Sequence, residues 1–257
     1  GAAARRGWRG GAARWRWSGS AAVRRLVVGA RGPGRRAAAA GGSTTRGGEG
    51  GRGGGGIAPV AAGRFFVYGS HDADKVPADK IPLLIDAAMA FGTGHHGTTK
   101  GCLEAFDALM DLGFEGGRIL DIGCGTAVLA MAAAKVLPDL ILASDIDPVA
   151  VEVAQANVLS NNLRDRINCF VAPGFEAPEL ANGGPYDLIF ANILKGPLIG
   201  LSPDMGRHVS TGGYVILSGI LNEQADDVIS VYHQNGFELI ENRSIVDWAT
   251  LVLTKKG

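Results

Sequence analysis

Cysteine is scarce: Cys102, Cys124 and Cys169 are the only three in 257 residues. They are odd in number, widely spaced and include no C-x-x-C pair, which argues against both a disulfide framework and a zinc site. A reducing, cytoplasmic location is therefore expected. Long apolar runs are missing too. The best stretch, VLAMAAAKVL, contains a lysine and falls short of the roughly 18 residues needed to cross a bilayer, so a soluble chain with no membrane partner is expected. Net charge is absent overall, with 25 basic and 25 acidic side chains.

That neutrality is an average over two unlike parts. Residues 1–56 lack Lys and Met, hold Glu49 as their single acid, and consist mostly of 18 Gly, 12 Ala and 12 Arg. So few large apolar side chains cannot offset the entropy of ordering the chain, and the segment is expected to be low-complexity, disordered or an out-of-frame stretch of a GC-rich gene. An Arg-rich start can also be a transit peptide, and Trp8, Trp15 and Trp17 beside Arg14 and Arg16 could stack on bases, so targeting and RNA contact stay open. Residues 57–257 carry 13 basic and 24 acidic side chains, which argues against nucleic-acid binding by that part.

From Ile57 onward, short apolar strands alternate with amphipathic helices, the form of an α/β doubly wound sheet. Residues 57–80 read as a linker and 81–257 as the domain. Strands are expected at 118–122 (RILDI), 140–144 (LILAS), 167–171 (INCFV), 186–191 (YDLIFA) and 214–218 (YVILS). Residues 237–241 (FELIE) and 250–254 (TLVLT) are separated by only eight residues, too few for a helical crossover, so they should pair antiparallel. Pro148 opens a helix whose inward side is expected to be Val149, Val153, Ala156 and Val158 or Leu159. Seven strands with an antiparallel last strand outline a Rossmann-like class I methyltransferase rather than a nucleotide dehydrogenase.

Two glycine turns compete for a cofactor. ILDIGCGTAVLAMAAAK has a strand running into the turn, a helix leaving it, and Asp145 twenty residues beyond Gly125. Gly123 and Gly125 let the backbone approach a ligand, but Val128 stands where a dinucleotide loop has its third glycine. Asp121, two residues before the first glycine, would repel a pyrophosphate but can hold an ammonium group, so S-adenosylmethionine suits this loop better than NAD. GTGHHGTTK lacks the G-K-[ST] ending, and PLLID before it, which could be a short strand, is not joined directly to the glycines. It reads as a lid leading into a helix with Thr98 or Thr99 at its start, and the adjacent His95 and His96 are not expected to form a metal site.

AFGTGHHGTTKGCLE, ILDIGCGTAVLAMAAAK, SDIDPVAVEVAQANV, DLIFANILKGPLIGL, LSGILNEQADDVISVYHQNGF and DWATLVLTKK, in that order, strongly resemble the ribosomal protein L11 methyltransferase family. The resemblance covers residues 57–257. It implies an S-adenosylmethionine-dependent enzyme that methylates lysine ε-amines and the N-terminal α-amine of a large-subunit ribosomal protein. Carried over, it implies cofactor contacts at Thr99, Gly123, Asp145 and Asn192, with Phe91, Gly92 and Gly94 in the lid motif; Asn192 is also the candidate for aiming the acceptor amine. This chain departs from the family at 94–97, where a proline is lost, at Ala127, where glycine is common, and at Lys195, whose charge either bears on a lysine substrate or points to solvent. The family's small N-terminal docking domain leaves no trace in the periodicity of residues 1–56. A related methyltransferase acting on another protein or a small amine, and a cofactor-binding remnant, remain as alternative readings.

Overall fold

The computed structural model describes residues 58–86 and 96–257, His96 by its backbone alone. The main sheet holds β4 (Ile119–Ile122), β5 (Ile141–Asp145), β6 (Ile167–Val171), β7 (Tyr186–Asn192), β8 (Val209–Leu221), β9 (Phe237–Ile245) and β10 (Trp248–Lys255). Their order is β6-β5-β4-β7-β8-β10-β9. Strands β4 to β8 are mutually parallel, and β10 runs antiparallel to both neighbours, as the short gap before it requires. All seven expected strands are present.

The helices are α1 (His96–Asp111), α2 (Val128–Val136), α3 (Pro148–Ser160), α4 (Pro178–Gly183), α5 (Lys195–His208) and α6 (Ala225–Gln234). Side chains alternate across the strands, so the sheet buries two faces. Leu120, Ile122, Ile189, Ala191, Val215 and Leu217 form one, packed with Leu180 of α4, Leu198 and Met205 of α5, and Val228 and Tyr232 of α6. On the other, Phe190 of β7 meets the edge of Phe106 of α1 at 5.4 Å between centroids.

A second sheet precedes α1, made of β1 (Val60–Ala62), β2 (Phe65–Tyr68) and β3 (Ile81–Leu84), in that order. The expected linker at 57–80 is therefore structured from β1 onward. Phe65 is fully buried and stacks on Phe106 at 5.9 Å, and Arg64 holds the carboxylates of Asp107 and Asp111, fixing this sheet to α1. The segment belongs to the folded unit because FFVY supplies apolar surface that α1 covers.

Two local expectations need correction. The inward face of α3 is Ala150, Val151, Ala154, Asn157 and Val158, whereas Val149 and Leu159 are exposed. An almost wholly apolar helix does not declare its face by hydrophobicity; two buried asparagines that make hydrogen bonds fix it instead. Helix α1 begins at His96, so Thr98 and Thr99 lie inside its first turn rather than capping it, with Thr98 fully buried and Thr99 half-buried.

Candidate functional site

The C-terminal ends of the parallel strands converge where β4 passes into the glycine turn, the usual position for a ligand in an open α/β sheet. Gly123 and Gly125 adopt φ of 68° and 52°, in the left-handed region that glycine enters without strain. Two backbone donors, the N–H groups of Gly123 and Cys124, share the Ser144 carbonyl of β5 at 2.7 and 2.9 Å. The turn is thus pinned to the neighbouring strand before any ligand arrives. A β-carbon on Gly123 would run into the Ile193 side chain, whereas one on Gly125 would meet nothing within 4 Å. Gly123 is needed for packing, and Gly125 leaves an open backbone wall. Ala127, at φ 61°, caps α2 in a conformation that costs an L residue about 1–2 kcal/mol and that glycine would adopt without that cost.

Asp145 ends β5 and closes the site. Its Oδ2 accepts the Gly125 N–H at 3.0 Å and its Oδ1 accepts the Asp147 N–H at 3.0 Å. Asp147 in turn caps α3 by accepting the Val149 N–H at 2.9 Å, with Pro148 in the first turn as expected. One bond to each oxygen orients the carboxylate and leaves lone pairs for further donors, such as a pair of hydroxyls.

Asp121 lies deeper, 1% exposed, with Oδ2 accepting the Ala130 N–H of α2 at 3.0 Å. Burial pushes its carboxyl up to about 7, the Ala130 donor opposes that rise, and the Asp145 charge adds to it. A nearby cation would draw the proton off, so this buried acid suits an ammonium group.

Asn192 ends β7 and is paired in register with Ser218 of β8. Among the described residues no hydrogen bond is made by its side-chain amide, which is half-buried and available to a ligand. The next residue, Ile193, donates its N–H to the Ser218 carbonyl at 3.1 Å and touches Gly123 through its side chain, placing Asn192 beside the glycine turn. Helix α1 lies over the far side of this corner: Gly97 faces Trp248, Gly101 faces Thr250, and the Cys102 thiol meets Ser218. This brings Thr99 to the same end of the sheet. Asp121, Gly123, Gly125, Asp145 and Asn192 are thus gathered in one place, while Phe91, Gly92 and Gly94 lie outside the described residues.

Lys195 forms an ion pair with Asp227 of α6 at 2.5 Å, which occupies its charge. Asp187 accepts the Arg118 N–H at 2.9 Å and is structural. Sequence reasoning missed Ile193, the Ser144 carbonyl, and the buried Asn157 and Asn161. The last two carried a usable signal: polar residues four apart on an apolar helix share a face and need partners if that face is buried. Among the described residues no cluster of His, Cys, Asp and Glu is suited to a metal ion, and no helix is long and apolar enough to cross a membrane.

A model of the ribosomal protein L11 methyltransferase family matches residues 56–256. The chain is 47% identical over 201 residues to the ribosomal protein L11 methyltransferase of Bradyrhizobium diazoefficiens, covering 78% of this chain and 68% of that protein. It is 44% identical over 233 residues to the protein of that description from Rhodopseudomonas palustris, covering 91% and 79% respectively. Among solved structures, a ribosomal protein L11 methylase from Lactobacillus delbrueckii superimposes with a TM-score of 0.66 at 26% identity, over 76% of this chain and 95% of that one. The matched span begins just before the first described strand and takes in every element built above, from the glycine turn to the antiparallel hairpin. With a sheet of this order and a glycine turn so placed, the chain belongs to the ribosomal protein L11 methyltransferase family of protein-methylating enzymes.

Proposed function

We propose that this chain transfers methyl groups from S-adenosylmethionine to amines of ribosomal protein L11, the lysine ε-amines and the N-terminal α-amine. The observation that carries the reading is the Asp145 carboxylate fixed on the Gly125 N–H beside an open backbone wall, with the Asn192 side chain next to it making no hydrogen bond among the described residues. The donor set fits the cofactor: Asp145 for the ribose hydroxyls, the 123–125 turn for the amino-acid portion, and Asp121 for its ammonium group. Thr99, Asn192 and the lid residues Phe91, Gly92 and Gly94 complete the proposed contacts.

When bound, the sulfonium supplies an electrophilic methyl carbon, and its sulfur takes the electrons of the broken carbon–sulfur bond. The chain's own task is placement. Asn192 accepts a hydrogen bond from the acceptor amine through its side-chain carbonyl, aiming the nitrogen lone pair along the line of displacement without adding charge. An amine must be neutral to attack: a lysine, near 10.4 in water, must first lose a proton, while an α-amine near 7.7–8.0 is already partly neutral. After transfer, the new ammonium sheds a proton to water.

The test is incubation of ribosomal protein L11 with the chain and labelled cofactor, with peptide mapping of any label. Label on lysines and on the N-terminus supports the reading; cofactor binding with no label on this protein overturns the assigned substrate.

A further inference from the structure

Asn157 on α3 and Asn161, the residue that caps the C-terminus of α3, are 1% and 6% exposed and lie outside the proposed cofactor contacts. Asn161 behaves as a piece of strand. Its Oδ1 accepts the Leu84 N–H at 3.1 Å and its Nδ2 donates to the Leu84 carbonyl at 2.8 Å, filling both backbone groups on the edge of β3 that faces away from β2. That same Nδ2 donates to the Asn157 carbonyl at 2.8 Å. Asn157 then reaches the other way, its Nδ2 donating to the Thr126 carbonyl at 3.2 Å. Thr126 sits between Gly125 and Ala127 in the glycine turn. A continuous path of buried amides thus joins the last residue of β3 to the turn that Asp145 holds.

The chemistry of these residues is specific. An apolar helix facing a sheet would normally bury aliphatic side chains, and a buried amide is costly unless its groups are paired. Leucine at either position would pack, but would leave the Leu84 N–H and carbonyl, or the Thr126 carbonyl, without the partner it has here. The glycine turn gains a fixed carbonyl at Thr126, beyond the N–H groups of Gly123, Cys124 and Gly125 for which β5 supplies acceptors.

We propose that Asn157 and Asn161 are positioning residues that couple the β1–β3 sheet to the glycine turn, so that cofactor in the turn and order in β3 stabilise each other. This rests on the cofactor reading above. Coupling between sites is reciprocal, so either end can be read. The direct measurement is amide hydrogen exchange of the full chain with and without S-adenosylmethionine, together with calorimetric cofactor affinity. In the native chain, cofactor is expected to slow exchange at Leu84, whose N–H is held by Asn161. Asn161→Ala, which touches neither the turn nor the proposed cofactor contacts, is expected to weaken cofactor binding about five- to tenfold and to abolish the slowing at Leu84. Tyr232→Phe, which removes a buried hydrogen bond to Leu198 on the opposite face of the sheet, serves as a control for general loss of stability and should leave affinity unchanged. Should Asn161→Ala not fold, exchange in the native chain and in Asn161→Ser carries the test. Native chain that binds cofactor without slowing at Leu84, or variants with unaltered affinity, would overturn the coupling alone. A native chain that binds no cofactor would instead overturn the cofactor reading.

Discussion

The two halves of the site are built differently. At the glycine turn almost every polar group is already engaged: Gly123 and Cys124 on Ser144, Gly125 on Asp145, Asp121 on Ala130. On the adjacent strand, Asn192 ends β7 with a side chain that bonds to nothing among the described residues. The difference teaches which half is preorganised. On the proposed reading, the groups that would grip a cofactor through every turnover are set by the fold, while the group that would meet a transient acceptor is left to be paired by it.

The largest effect is expected from Asn192→Ala, with kcat falling about a hundredfold or more because the acceptor is no longer aimed. Steady-state kinetics beside calorimetry should show kcat falling far more than cofactor affinity; an equal loss in both would place Asn192 in the cofactor half alone. Asp145→Ala should do the reverse. It removes the acceptor for Gly125 and the proposed charge-assisted contact to the cofactor, and is expected to weaken cofactor binding on the order of 1.5–3 kcal/mol by calorimetry. Unchanged affinity would remove the basis for placing the cofactor in this turn.

Asp121 gives a smaller, pH-dependent effect. Its carboxyl is raised from 3.8 to about 7 in the fold, chiefly by burial, so the folded chain holds that proton more tightly than the unfolded one. The stabilisation is complete below the unfolded value and is lost as pH rises through the folded one. Asp121→Asn retains an oxygen for the Ala130 N–H and should flatten the fall in urea midpoint across that window. A slope identical to the native chain's would show that this carboxyl does not carry it. Smallest of all, Val246 is 84% exposed at φ 55°, a conformation that β-branched residues avoid. Val246→Asn should raise stability by up to about 1 kcal/mol in denaturant titration, with cofactor affinity unchanged.

Much of this was legible in the sequence where a residue pattern has one physical solution. Two strands eight residues apart can only pair antiparallel, and an acid twenty residues beyond Gly125 falls at the end of the next strand. Reading failed where the pattern was degenerate. Helix α3 is apolar nearly all round, so its inward face was set by Asn157 and Asn161 and not by its aliphatic residues. PLLID could be read as a short strand, but the rest of the β1–β3 sheet was hidden because VAA and FFVY are three or four residues long and Phe65 is buried by stacking on α1, which no local signal announces. Ala127 occupies a left-handed position that the sequence marks only by departing from the family's glycine.

The most direct test of the account is intact-mass spectrometry of ribosomal protein L11 after incubation with this chain and S-adenosylmethionine, run beside the Asn192→Ala variant. The account predicts whole multiples of one methyl substitution with the native chain and far fewer with the variant over the same time. Unaltered mass under conditions where cofactor binding is verified would contradict it.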